Sequence, residues 1–207
     1  MKQPKGNIMI SARVLLVLTA VLALGACSSP QVRFHTLMPQ PGQQMEDESA
    51  VDLVISSVMV PAQVDRSELV VRKDASGLVV LSSDWWGASL AEELRSALVA
   101  GFGPGGQEAP RVNLRLQVTR FDSVPGKHAW LEARYQLTGS GNNGKQQLSC
   151  SARLRTGVSG EQSQVVEALV LAQQENVRML AAQILAAARG LGSGQGCPAE
   201  SPVGSTL

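Results

Sequence analysis

The residues able to do chemistry in this 207-residue chain are few: three cysteines, two histidines, three tryptophans and some clustered glycines. Neither His35 nor His128 has a cysteine, histidine or carboxylate at a ligand spacing such as C-x-x-C or H-x-x-x-H, so no metal centre is expected. There is no G-x-S-x-G elbow, and two histidines give a spatially assembled triad little to draw on. Gly101, Gly103 and Gly106 match G-x-G-x-x-G, as do Gly139, Gly141 and Gly144. A dinucleotide site needs that pattern between a strand and a helix. The first match follows a helical pattern and contains Pro104; the second lies between two strand patterns. Both read as loops. No catalytic residue and no cofactor are expected, and the chain reads as a non-enzyme.

Cys27 is the exception among these residues. Residues 1–13 carry Lys2, Lys5 and Arg13 with no acid, and residues 14–24 are almost wholly apolar, an n-region followed by an h-region. A plain transmembrane anchor would have to run from Ile8 to Ala26 and take Ser11 and Arg13 into the bilayer. Leu24-Gly25-Ala26-Cys27 instead looks like a bacterial lipobox, in which small residues enter the peptidase cleft and the thiol receives diacylglycerol. Cys27 is thus the expected lipid attachment site and new N-terminus. Ser28 rather than Asp follows it, which implies release to the outer membrane, facing the periplasm. Several acyl chains on one residue hold stably where a single chain does not.

Outside the cytoplasm the remaining pair, Cys150 and Cys197, is a candidate disulfide. The alternative is a buried thiol at 150 and a solvated one at 197. Trp85-Trp86 stands out in a chain only 3% aromatic. Two adjacent indoles cannot both face the core from a helix start, so one is expected in the sheet–helix seam and the other free for a partner or lipid.

These residues need a scaffold, and the length suits one domain. The formal charge is +1; maturation removes three of the 18 basic residues and none of the 17 acids, leaving −2. Without a basic field, nucleic acid is not an expected partner. The segments are a signal peptide over 1–26, an acylated N-terminus and tether over 27–50, a domain over 51–189 and a flexible Gly/Ser tail over 190–207. Arg33–Leu37 offers a short edge strand within the tether. Val51–Val60 reads as a strand, and Glu68–Arg72 and Leu78–Leu81 as a hairpin around an Asp/Gly turn. Ser82-Ser83-Asp84 offers a cap for a helix carrying Leu90, Leu94, Ala97 and Leu98, ending at Gly101. Strands follow around 111–123, 128–138 and 146–156, the first strictly alternating. A long amphipathic helix closes the domain over roughly 163–189. The order β-β-β-α-β-β-β-α predicts an α+β fold, two helices on one face of a largely antiparallel sheet.

These features together resemble the ABC-type transport auxiliary lipoproteins, the paraquat-inducible protein C-like group. The resemblance rests on the lipobox, Phe34-His35-Thr36-Leu37, the run from Val58 to Arg72 with its Val-Pro, Asp-Arg and Val-x-Arg elements, Trp86 followed by Leu90, and the Ala-rich last helix. It implies a non-enzymatic component of intermembrane lipid transport. Its partners would be an MCE-domain protein that bridges the periplasm and an ABC transporter or permease; the membrane is reached through the N-terminal lipid. A homo-oligomer is compatible with this role. Pro61, Asp65, Arg66 and Trp86 become candidate partner-docking positions, the first three reading alternatively as a plain turn with a local ion pair. A carrier holding an acyl chain in the sheet–helix cleft is the second expectation.

Overall fold

The computed structural model describes residues 31–40, 49–141, 144–159, 164–199 and 205–206; the lipobox and Cys27 lie outside them. Eight strands and two helices are present among the described residues: β1 (Arg33–His35), β2 (Asp52–Met59), β3 (Glu68–Arg72), β4 (Leu78–Trp86), α1 (Leu90–Phe102), β5 (Arg111–Val124), β6 (His128–Gly141), β7 (Gly144–Gly157), α2 (Val165–Leu191) and β8 (Ser205–Thr206). The fold is α+β, and its strands divide into two mixed sheets. One has the order β2-β5-β6-β7-β8, the other β1-β4-β3.

The long meander β5-β6-β7 is antiparallel throughout. Its first turn is made by Gly126 at φ 66°, a left-handed position that costs glycine nothing. Strict alternation on β5 buries Val112, Leu114, Leu116 and Val118 and leaves Arg111, Asn113, Arg115 and Gln117 wet. A bulge between Val118 and Arg120 then shifts the register, so Phe121 turns inward instead of Arg120. β2 pairs with β5 in parallel, because the β3–β4 hairpin and α1 intervene as a crossover.

Both helices pack on the buried face of the larger sheet. Leu114, Leu131 and Leu137 from the strands meet Leu94, Leu98 and Ile184 from the helices, all at 0% exposure. The helices approach closely where Gly101 faces Ala181; a Cβ on Gly101 would lie 3.1 Å from the Ala181 Cβ.

One local expectation fails. Ser82-Ser83-Asp84 does not cap a helix; it lies inside β4, which continues through both tryptophans. β1 adds in parallel to residues 84–86, and the Trp86 amide donates to the Ser67 carbonyl at 2.6 Å. Tertiary strand pairing therefore overrides the local capping preference. The helix starts later, after Ser89, whose own side chain makes no capping bond.

Candidate anchoring and docking surface

β1 is the described strand nearest Cys27 in the chain, and three elements grip the arm it begins. From β4, the Asp84 carboxylate receives the Arg33 guanidinium at 2.8 Å and lies 2.9 Å from His35 Nε2. Burial opposes its charge, but hydrogen bonds from His35 and Arg33 outweigh that cost and hold the Asp84 carboxyl below the ordinary range. From α1, Glu93 Oε2 accepts both the Thr36 hydroxyl and the Leu37 amide at 2.8 Å. From α2, the Gln174 amide donates to the Thr36 carbonyl at 2.8 Å. Leu37 itself is sunk in the core. Glu93 and Asp84 were not legible as site residues. Glu93 did leave a signal, a carboxylate on the leucine stripe between Leu90 and Leu94.

β1 shows two different faces, as alternation requires. Arg33 and His35 turn to Asp84, whereas Phe34 points away, 69% exposed, with its ring edge-to-face against Trp85 at 6.5 Å. Trp86 takes the opposite side of β4 and is only 4% exposed, packed edge-to-face on Phe121. Trp86 is thus a core residue with no surface to offer a partner, a correction to its reading as a docking position. The half-exposed indole is Trp85.

Pro61, Asp65 and Arg66 do share one turn. The Val64 and Asp65 amides donate to the Pro61 carbonyl at 3.0 and 3.1 Å. Asp65 Oδ1 lies 3.4 Å from the Ala91 amide at the start of α1, placing an anion where the helix dipole favours one. Arg66 pairs with Glu68 at 3.2 Å on the surface. The Val-x-Arg element ends in Arg72, which reaches across from the smaller sheet to the Asp122 carboxylate on β5 at 2.8 Å. Arg120 shares that carboxylate at 2.6 Å. Burial again opposes the Asp122 charge, and the hydrogen bonds from Arg72 and Arg120 prevail, holding its carboxyl below the ordinary range. Around this ion-pair cluster lies an open polar basin of about 570 Å³ with Pro61 and Val64 on its rim.

Behind Asp122 a second polar network is wholly buried. Gln173 donates to the Asp122 carbonyl and the Ser123 hydroxyl, Asn176 donates to Gln173, and the Thr156 hydroxyl donates to Asn176. It fixes α2 against the end of the sheet, since each member would be costly to leave unpaired.

Cys150 on β7 and Cys197 beyond α2 are joined by a disulfide, with a Cα separation of 5.6 Å. It ties the segment after α2 to the larger sheet. His128 lies 3.1 Å from an Arg155 nitrogen and edge-to-face with Trp130. Burial, reinforced by Arg155, pushes its pKa down. Among the described residues no group of three metal-binding side chains converges.

Leucines fill the centre of the sheet–helix seam, and a cavity of about 160 Å³ remains at its end between Val112, Gly139, Ala188 and Leu191. A groove of about 400 Å³ lies elsewhere, between the two helices and the arm, lined by Leu37, Pro39, Gly101, Leu171, Val177 and Leu185.

Fold and site together define an α+β domain whose N-terminal arm is locked onto its helices and whose charged clusters brace two sheets. Two solved structures share the fold. One, an uncharacterized protein, has a TM-score of 0.58 at 17% identity, covering 77% of this chain and 97% of its own. The other, a Xanthomonas campestris protein of the DUF330 family, has a TM-score of 0.53 at 18% identity, covering 81% and 96%. No curated protein matches the chain. The sequence matches the ABC-type transport auxiliary lipoprotein component family over residues 35–185, and the chain belongs to that family. This is a family of membrane-anchored transport components and not of enzymes.

Proposed function

We propose that the protein is a docking component of an MCE/ABC-type intermembrane lipid transport system, lipid-anchored at the outer membrane and facing the periplasm. There it receives the periplasmic bridge formed by an MCE-domain protein, whose ABC transporter or permease lies in the opposite membrane. The observation that carries this reading is the arm. Beginning six residues after Cys27, it is held by β4, α1 and α2 through buried or half-buried carboxylates and an amide. A domain joined this firmly to its leash passes load from partner to membrane without unfolding first, which suits docking. Family membership supports the transport setting, and the Ser28 after the lipobox supports the choice of membrane.

The test is affinity recovery of the native lipoprotein from solubilised membranes of its source cells. An MCE-domain protein is expected in the eluate, and a Cys27→Ala form is expected to fold normally yet fail to restore transport in a deletion strain. Recovery without any MCE-domain protein would refute the docking role. The groove beside Leu37 favours a second reading, a carrier for one acyl chain. Native mass spectrometry of the same eluate separates the two, since a carrier retains bound phospholipid.

A further inference from the structure

We propose that Phe34 and Trp85 form a bilayer-contacting patch that seats the domain against the headgroup region of the membrane holding the Cys27 lipid. The inference rests on the anchoring reading above and extends it from attachment to orientation. Phe34 is the most exposed large apolar side chain among the described residues, and Val32 two positions earlier is 40% exposed. Both precede the point where the arm enters the core at Leu37. Phe34 is seven positions after Cys27, a span of at most about 25 Å even when fully extended. An apolar patch on so short a leash is held near the interface, where aromatic rings are favoured at headgroup level.

The patch is built rather than incidental. β1 is hydrogen-bonded to β4, and Asp84 fixes Arg33 and His35 on the strand's opposite face, so Phe34 is presented outward by an ordered backbone. Trp85 braces its ring edge-to-face. The Trp85 indole N–H already donates to the Ser82 carbonyl at 3.1 Å, so placing the ring in a less polar layer strands no donor. An acylated cysteine already secures the protein, so two more rings add little retention. They add a second fixed point, which restricts the tilt of the domain and hence the direction in which its far surfaces face.

The test uses the mature acylated protein on phosphatidylethanolamine/phosphatidylglycerol vesicles containing a spin-labelled lipid quencher. With Cys27 acylated and Cys150 bonded to Cys197, Phe34→Cys supplies a single thiol for an NBD fluorophore. Ala186→Cys is the control, an exposed position on α2 about 18 Å along the helix from Gln174, where the arm crosses. Quenching several-fold deeper at 34 than at 186 is expected. Intrinsic fluorescence gives a measurement that leaves Phe34 intact: brominated lipid should dim the unlabelled protein, and Trp85→Phe should remove most of that dimming. Protein that floats with the vesicles but shows equal quenching at both positions, or dimming unaffected by Trp85→Phe, overturns the patch and leaves the anchor standing. Protein that fails to float overturns both.

Discussion

Glu93 offers the sharpest perturbation of the arm. Its Oε2 accepts the Leu37 amide and the Thr36 hydroxyl, and the residue is 7% exposed. Glu93→Ala removes both bonds and leaves the Leu37 N–H unpaired. The hydroxyl of Thr36 is near solvent and finds water, so it counts for little. The buried amide counts for more: a hydrogen bond to a charged group is worth about 1.5–3 kcal/mol net. Relief of the carboxylate's own burial offsets part of this, leaving about 2 kcal/mol. If that loss is local, amide exchange at Leu37 accelerates roughly 30-fold, at 1.4 kcal/mol per tenfold. Glu93→Gln keeps one acceptor and should lose only about 1 kcal/mol. The assay is native-state hydrogen exchange on the mature protein, with the Leu131 amide in the central strand β6 reporting global opening. Leu37 exchange unchanged in Glu93→Ala would refute the clamp. Acceleration shared equally by Leu131 would show that Glu93 supports the whole fold and not the arm.

Three further outcomes follow from the same structure. Asp84 and Asp122 both have carboxyls held below their ordinary values, so their contribution is complete above about pH 4 and disappears as pH falls through the lower folded values. Urea midpoints should drop on acidification below about pH 4, and Asp84→Asn or Asp122→Asn should flatten that decline; an unchanged slope refutes the assignment. Reducing Cys150–Cys197, which closes 47 residues of chain, should lower unfolding free energy by at most about 4 kcal/mol on the chain-entropy estimate. A midpoint indifferent to reductant would contradict it. Gly101→Val forces a branched side chain against Ala181 and should cost about 1–3 kcal/mol through helix separation, read from thermal denaturation.

Features whose physics is local were legible without coordinates. The alternation of Arg111–Arg120 put one face of β5 in the core. The stripe through Val170, Val177, Leu180 and Ile184 made α2 amphipathic, with its observed end at Leu191 two residues past the expected one. The Lys73–Gly77 turn formed because the Asp74 carboxylate accepts the Ser76 and Gly77 amides. The family likewise followed from short motifs.

What needed the folded chain were partnerships across distance. Nothing near Ser82-Ser83-Asp84 announces that β1, about 50 residues earlier, will claim it as a strand. That pairing decides which tryptophan is buried, because successive strand residues face opposite ways, and it turns Asp84 from a cap into the socket for Arg33 and His35. Arg72 belonged to a recognisable motif, yet its purpose rests on Asp122, 50 positions on and on the other sheet. Glu93 reads as a flaw in a leucine stripe until the arm arrives to use it. Sequence alone determined the periodic elements and the turn, since these depend on residues within a few positions of each other. Tertiary structure decided which charges meet and which aromatic rings remain outside, since burial and ion pairing are properties of what the chain brings together.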